Sequence, residues 1–360
     1  MMMVIFLFFV VVFLVAYFCN PPKSQSKEDI APSYTIALSD TNLVIPYNGK
    51  SVDVNVISKS STWDFANTHT WCTVTKKMNS FRLTIYENTK NTKRTANIKF
   101  YAEGDSVILN IIQEASPHKF FTINGVSFTM KYIQGGTFNM GATSEQDNNA
   151  DENEHPMHSV TVNDYYIGET EVTQKLWQAV MHTNPSHNKE WNNDPLTVIY
   201  GCYPPVECIS YNDCQKFIHK LNKLTGQHFR LPTEAEWEFA ARGGNKSQCY
   251  KYAGSNFIND VAWCDERFPN GITHPVKKKK ANELGLYDMS GNVNEWCKDW
   301  YGIYSIHPQT NPKGPSSGEY RVYRGGGYHN NAEHCRVSAR EYATPSNSYD
   351  HIGLRLALSL

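Results

Sequence analysis

The chain has 360 residues, 40% of them hydrophobic and 13% aromatic, so it can bury a sizeable core and is long enough for about two domains. A formal net charge of -1 and a pI near 6.9 give no long-range attraction to nucleic acid, which excludes that class of partner. Nine cysteines occur without a Cys-x-x-Cys pair, which argues against a zinc ribbon or a thioredoxin-type site. The sequence leaves the disulfide pattern open.

Residues 1–18 carry no charge and are almost wholly apolar, and they end at Cys19, after which polar residues follow at once. This pattern predicts an export signal or a membrane anchor over residues 1–19. A cysteine directly after the apolar run resembles a bacterial lipoprotein cleavage site, although Tyr17 and Phe18 depart from the small residues of that motif. We therefore expect an exported protein of the cell envelope, anchored through lipid on Cys19, with ordinary secretion as the alternative. Polar residues 20–33 are expected to form a linker.

Residues 34–115 consist of short segments in which apolar and polar residues alternate, separated by turn residues such as Asn48-Gly49. This pattern predicts an all-β sandwich. Through Trp63, Trp71, Asn88, Arg94 and Ile112-Gln113 the region resembles a BACON domain, and the resemblance implies that the sandwich is immunoglobulin-like. The two tryptophans would either pack in the sandwich core or stack on sugar rings.

Residues 116–360 mix strand-like pieces near 126–140 and 158–168 with three predicted helices and a long stretch rich in loops and glycine. One helix is predicted over 171–181 and another over 212–225, ending before Gly226. The third begins at the Thr-x-x-Glu capping box formed by Thr233 and Glu236 and runs to Arg242.

The stretch Gly-Leu-Tyr-Asp-Met-Ser-Gly-Asn-Val-Asn-Glu-Trp, residues 285–296, combines turn residues with two carboxylates. In a loop wrapped back on itself, Asp288 and Glu295 would converge on a hard cation, with the main-chain carbonyls of Gly291 and Val293 completing an oxygen shell. An Asx-turn at Asp288 beside a surface Glu295 is the alternative.

Several motifs occur in a common order: Gly-Gly-Thr-Phe-Asn-Met-Gly (135–141), Glu-Thr-Glu-Val-Thr (169–173), Arg-Leu-Pro-Thr-Glu-Ala-Glu-Trp-Glu (230–238), the 285–296 stretch, Tyr-Arg-Gly-Gly-Gly (323–327) and Gly-Leu-Arg-Leu (353–356). From about residue 126 onward the chain resembles the formylglycine-generating enzyme (sulfatase-modifying factor) family. The resemblance implies an irregular α+β fold related to C-type lectins. It also implies a structural calcium ion bound by Asp288 and Glu295 and by the carbonyls of Gly291 and Val293.

The family's enzyme oxidises a cysteine of a client sulfatase to formylglycine with Cu(I) held by a Cys-x4-Cys pair after the Arg-Gly-Gly motif. Cys335 matches the second cysteine, but Asn330 stands in the place of the first, and Gly327 and Asn294 also depart from the family pattern. An amide is a poor ligand for a soft ion, so copper is not expected to bind as it does in the family's enzyme. A second thiol near Cys335, supplied from elsewhere in the chain, would reverse this expectation.

Other candidate ligands are His329 and His334, which would join Cys335 in a rebuilt metal site or would be ordinary loop residues. His155 and His158 have a ligand-like spacing within a segment that looks structural, and the lysine run at 277–280 is expected to be a solvated loop.

Three functions follow from the sequence. The first is a calcium-stabilised surface module that binds or scaffolds a protein or peptide client, without a functional copper site. The second is an oxidase that uses Cys335 as a catalytic residue. The third is carbohydrate binding by the sandwich together with the lectin-related domain.

Overall fold

A computed structural model describes residues 35–60, 62–146, 150–189, 195, 203–265 and 271–360. The predicted leader (1–19) and linker (20–33) lie outside these residues. Within the described part of the chain, no helix combines the length and the apolar character needed to cross a membrane.

The N-terminal part contains eight strands, and all six strand segments that the sequence predicts are confirmed. Their bounds are β1 Ile36–Leu38, β2 Asn42–Ile45, β3 Lys50–Ser58, β4 Asp64–Ala66, β5 Cys72–Lys76, β6 Ser80–Ile85, β7 Arg94–Ala102 and β8 Asp105–Gln113. They form two four-stranded sheets, in the orders β1-β3-β6-β5 and β2-β8-β7-β4. Both sheets contribute to one apolar core, in which Phe81 and Phe100 stack with ring centroids 4.4 Å apart.

Twelve further strands, mostly short, occur in the C-terminal part. Their bounds are β9 Lys119–Ile123, β10 Val126–Ile133, β11 Gly136–Met140, β12 His158–Val162, β13 Tyr165–Gly168, β14 Phe229–Arg230, β15 Asn294–Trp300, β16 Gln309–Thr310, β17 Arg321–Arg324, β18 Arg340–Ala343, β19 Ile352–Gly353 and β20 Ala357–Ser359. They form sheets in the orders β14-β20-β13-β10-β9, β11-β12-β16 and β18-β17-β15-β19.

The described helices of this part are α1 Gln174–Met181, α2 Tyr211–Thr225, α3 Glu234–Ala241 and α4 Ile258–Val261. Helix α1 begins three residues later than predicted, because the hydroxyl of Thr173 accepts the N–H of Leu176 and caps the helix there. The Thr233–Glu236 capping box that opens α3 is confirmed. Short strands, few helices and long loops give the predicted α+β class; the relation to lectin and immunoglobulin folds stays a prediction.

The sheet β18-β17-β15-β19 brings distant loops together. Strand β15 pairs antiparallel with β17, with Glu295 opposite Arg324, and parallel with β19, with Glu295 opposite Gly353. The residues before β15, after β17 and before β19 must therefore lie at the same end of the sheet. We call this region the loop face and define it as residues 288–293, 325–335 and 346–351.

Candidate functional site

A glycine turn after β17 controls how closely the segments of the loop face approach each other. Gly326 has φ +73°, and a Cβ there would lie 2.5 Å from the sulfur of Cys335, closer than any side chain allows. A Cβ on Gly327 would lie 2.9 Å from the Cβ of His351. Gly326 therefore leaves the space that Cys335 occupies, and Gly327 leaves the space that His351 occupies.

The thiol of Cys335 is hydrogen-bonded to the thiol of Cys264. Both residues belong to one small apolar cluster, in which Cys335 is fully buried and Cys264 is half-buried. This hydrogen bond, together with burial, raises the pKa of Cys335 well above its usual value. The sequence expectation that Cys335 stands without a second thiol is therefore wrong, because Cys264 supplies one from 71 positions earlier in the chain.

Asn330, which occupies the place of the missing cysteine, has a structural role in the loop. Its side-chain oxygen accepts the N–H of Gly327 at 2.8 Å and the amide of Asn294 at 3.2 Å. Its main-chain carbonyl accepts the N–H of Asp265 at 2.7 Å. The bond from Asp265 holds the segment that carries Cys264 against the loop that carries Cys335, and the side-chain bonds of Asn330 to Gly327 and Asn294 fix the shape of that loop.

The structure does not bring His329, His334 and Cys335 together as one ligand set. His334 pairs through Nδ1 with Glu341 at 2.8 Å, and this hydrogen bond raises the pKa of His334. His329 instead lies against His351, with ring centroids 4.4 Å apart. The three residues therefore have three separate partners.

In the predicted calcium loop, Asp288 and Glu295 are both buried but differ in how well they are paired. Both oxygens of Glu295 accept hydrogen bonds from Arg355, at 2.6–2.9 Å, and one also accepts the indole N–H of Trp237 at 2.6 Å. One oxygen of Asp288 accepts the N–H of Lys277 at 2.9 Å, whereas the other is buried without a hydrogen-bond partner. The surface position weighed for Glu295 is therefore wrong.

A third carboxylate, Glu171, lies beside this loop and accepts the N–H of Val293 at 3.0 Å. Burial raises the pKa of Glu171 well above its usual value, and the charges of Asp288 and Glu295 raise it further. Burial likewise raises the pKa of Asp288 to about 6. Three buried carboxylates thus face one guanidinium, Arg355, and the unpaired oxygen of Asp288 is the atom that a hard cation fits.

The remaining sequence candidates have ordinary structural roles. His158 is buried and packs on Tyr304, with ring centroids 4.8 Å apart, while His155 is exposed. In the lysine run, Lys277 pairs with Glu169 and Lys279 lies over the ring of Trp263 at 4.0 Å.

The two sandwich tryptophans are engaged within their own domain. Trp63 is 5% exposed and donates its indole N–H to the carbonyl of Met78, which confirms its place in the core. Trp71 is half-buried, and the guanidinium of Arg94 covers its ring at 4.4 Å.

Two clefts among the described residues lie away from the loop face. A cleft of about 930 Å³ is lined by Asp164, Arg230 and Lys298 among others, and one of about 490 Å³ runs beside Ile303 and Tyr304. Neither is lined by Cys335, Asn330 or His329.

Sequence reasoning missed Cys264, Glu171, Arg355, Asp350 and His351. Glu171 and Arg355 lie inside the Glu-Thr-Glu-Val-Thr and Gly-Leu-Arg-Leu motifs, which indicated that these residues are important but not which residues they contact. Cys264 lies outside these motifs. Its position follows from hydrogen bonds of its two chain neighbours, in which the carbonyl of Trp263 accepts the N–H of Asn292 at 2.8 Å and the N–H of Asp265 donates to the carbonyl of Asn330 at 2.7 Å.

An irregular α+β domain, with a thiol after an Arg-Gly-Gly turn and a buried acidic loop before the central strand, defines the sulfatase-modifying factor class. A family model for the "Sulfatase-modifying factor enzyme 1-like domain" matches residues 126–360, and a BACON model, "Putative binding domain, N-terminal", matches residues 61–114. The chain belongs to the formylglycine-generating enzyme family and carries a BACON domain ahead of the family domain.

Relatives of this chain carry names that indicate different roles. It is 34% identical over 252 residues to "Chaperone protein LppX" of Paenibacillus barcinonensis, covering 59% of this chain and 83% of that protein. It is 38% identical over 170 residues to the formylglycine-generating enzyme of Streptomyces coelicolor, covering 42% of this chain and 52% of the enzyme. The match therefore spans only about half the length of that enzyme.

Two solved structures share the fold. Treponema denticola variable protein 1 is 33% identical, with a TM-score of 0.60 over 68% of this chain and 100% of that one. PvdO from Pseudomonas aeruginosa is 26% identical, with a TM-score of 0.56 over 67% of this chain and 98% of that one.

Proposed function

We propose that this chain is an exported binding protein whose family domain holds an extended segment of a protein or peptide client on the loop face. The proposal is carried by two observations together: Asn330 stands in place of the first family cysteine with its side chain committed to Gly327 and Asn294, and Cys335, which pairs with Cys264, has no exposed surface. The position that would bind metal in the family's enzyme instead stabilises the loop. The similarity to LppX, which is named a chaperone, supports the same kind of role.

The shape of the loop face suits a polypeptide better than a small molecule. The two clefts described above lie elsewhere, while residues 346–350 are exposed beside the exposed His329. An extended client would rest across these segments and offer main-chain groups to them. Tyr349, 39% exposed, gives this surface an aromatic side chain of the kind that often anchors protein contacts.

Export and lipid attachment at Cys19 belong to the same proposal. They are supported by the uncharged apolar residues 1–18 and the cysteine that follows them. Anchoring would place the BACON domain between the membrane and the client-binding domain.

A structural calcium ion at Asp288 is also part of the proposal. The unpaired buried oxygen of Asp288 and the excess of buried carboxylate over Arg355 support it. The carbonyls of Gly291 and Val293 would complete the shell. Glu295 would contribute only if it released part of its contact with Arg355, so Asp288 is the more direct residue to test.

A second candidate function, oxidation of a client cysteine, is favoured by the contact between Cys264 and Cys335. Two adjacent thiols are a ligand set that Cu(I) accepts, and binding would require both to lose their protons. A copper ion held there would supply the means to activate oxygen. The residues of this chain would place the client sulfur beside the thiol pair.

One set of measurements separates the two candidates. Fluorescence anisotropy with a labelled Cys-x-Pro-x-Arg peptide, and suppression of aggregation of an unfolded client, would report binding. We expect Tyr349→Ala to weaken both effects and Tyr101→Ala, which changes a sandwich tyrosine of similar 41% exposure, to leave them unchanged. A wild-type chain that shows neither effect contradicts the binding proposal.

Mass spectrometry of the same peptide after incubation with Cu(I) and oxygen would reveal an aldehyde product. The binding proposal predicts none. If the wild-type chain makes aldehyde, and Cys335→Ser and Cys264→Ser each abolish it, oxidation replaces binding as the principal function. Asn330→Cys should raise the yield in that case.

A further inference from the structure

Three potential metal ligands meet on the loop face without having been predicted as a group. His329, Asp350 and His351 each offer one ligand atom, and these atoms lie within 4.8 Å of one another. Among the residues that the structure describes, this is the one group of three or more histidine, cysteine, aspartate or glutamate side chains with that property. It is separate from the calcium loop and from the thiol pair.

The three side chains come from two segments that the sheet fixes. Nδ1 of His351 lies 3.1 Å from a carboxylate oxygen of Asp350, and the rings of His351 and His329 are nearly perpendicular, at 78°. The carbonyl of His351 accepts the N–H of Asn294, the first residue of β15, at 2.8 Å. His351 is thus attached to the central strand of its sheet.

Neighbouring residues orient the ligands. The hydroxyl of Tyr328, a buried residue, donates to the second oxygen of Asp350 at 3.4 Å. The N–H of Tyr328 in turn donates to the carbonyl of Asn292 at 2.8 Å. Gly327 leaves the space that His351 occupies, because a Cβ there would meet it. Residues that hold ligands in this way are typical of built metal sites.

The ligand chemistry indicates the class of ion. Two imidazoles and one carboxylate suit divalent transition ions such as Zn²⁺ or Co²⁺ rather than Ca²⁺ or Cu(I). Around a tetrahedral ion with bonds of about 2.0–2.1 Å, ligand atoms lie roughly 3.3 Å apart. Because His329 and Asp350 are exposed, small side-chain rotations would close the present spacing to that value.

We propose that His329, Asp350 and His351 bind one divalent transition-metal ion on the loop face. Three protein ligands leave a fourth position of the ion open to solvent. A donor atom of a bound molecule would occupy that position. The metal site does not depend on the client-binding proposal and can be tested without any client.

The test uses the untagged full chain, stripped with a chelator and titrated with Co²⁺, followed by displacement with Zn²⁺. Calorimetry gives the affinity and the number of ions bound, and the Co²⁺ absorption spectrum distinguishes nitrogen and oxygen ligands from thiolate. We expect one ion per chain, visible bands without a thiolate charge-transfer band, and weakening of at least about ten-fold in His329→Ala and in Asp350→Asn.

The matched control is His334→Ala, which changes a histidine of the same loop that pairs with Glu341 instead. It should bind Co²⁺ as the wild type does. His329 is exposed, so His329→Ala removes a ligand without removing a core side chain and decides the matter even if changes at His351 disturb folding.

Three results would overturn the proposal. The first is a wild-type chain that binds no Co²⁺, and the second is equal affinity in the wild type and His329→Ala. The third is a thiolate band that disappears in Cys264→Ser or Cys335→Ser, which would place the ion at the thiol pair.

Discussion

The BACON domain and the family domain keep their shapes by different means. In the sandwich, strand residues alternate between an apolar core and solvent, and ion pairs such as Asp53 with Arg82 lie on the surface with both side chains about half exposed. In the family domain, buried arginines pair with buried glutamates: Arg324 with Glu238, Arg336 with Glu154, Arg340 with Glu234, and Arg355 with Glu295.

The difference follows from secondary structure. Long strands satisfy their own backbone groups and present a regular apolar face, whereas loops leave carbonyls that need donors. Arginine supplies five donors in a fixed fork, so one side chain can fix several loop segments. Arg324, for example, donates to the carbonyl of Ser338 at 2.6 Å as well as pairing with Glu238.

The largest expected effect comes from removing one of these buried arginines. Arg324→Met leaves carboxylates and carbonyls buried without their donor, and it should lower the free energy of unfolding of the family domain by about 3–5 kcal/mol. Calorimetry should show the loss in the transition of the family domain alone. Arg82→Met, the matched change on the sandwich surface, should have little measurable effect on the free energy of unfolding. A similar decrease in both variants would refute the difference between buried and surface ion pairs.

The next effect concerns Asp288, whose pKa rises from 3.8 to about 6 on folding. Because folding raises this pKa, the contribution of Asp288 to the free energy of unfolding is fully present below about pH 4. It falls by roughly 3 kcal/mol as the pH rises through about 6. In chelator, Asp288→Asn should therefore be more stable than the wild type at pH 7 and about equal to it at pH 4. Denaturant unfolding of both proteins at pH 4 and at pH 7 measures the difference in the free energy of unfolding.

At pH 7, calcium should make the wild type more stable than Asp288→Asn, the reverse of the order expected in chelator. Added Ca²⁺ should raise the melting temperature of the wild type and leave Asp288→Asn unchanged. A wild-type chain indifferent to both calcium and chelator would contradict the calcium proposal. Glu295→Ala is a weaker test, because it also leaves Arg355 buried without its partner.

The smallest of these effects is expected at the start of α3. The hydroxyl of Thr233 accepts the N–H of Glu236 at 3.2 Å, so Thr233→Ala should cost about 1 kcal/mol in denaturant unfolding. Thr95→Ala, on the exposed side of β7, provides a control without a cap. Equal decreases in the free energy of unfolding in Thr233→Ala and Thr95→Ala would show that the helix cap contributes little to stability.

Local rules predicted the local elements well. Period-two alternation identified six sandwich strands, and the capping box placed the start of α3, because both signals depend on residues a few positions apart. The start of α1 was predicted too early, since the apolar face continues through Val172 into a segment that precedes the cap at Thr173.

The candidate site depended on partners that are distant in sequence. Asn330 led to the expectation that Cys335 stands without a second thiol, which is wrong, because nothing local in the sequence points to Cys264. Nothing near His329 in the sequence indicates its spatial neighbours either, because Asp350 and His351 follow about twenty positions later. Such contacts follow from the order of strands β17, β15 and β19, which the sequence alone did not provide.

The convergence of three loops at one end of a sheet has an evolutionary consequence. The buried arginines act behind these loops, so residues on the outer surface can change without loss of the supporting architecture. The same kind of domain occurs in relatives named as a chaperone, a formylglycine-generating enzyme and a variable protein.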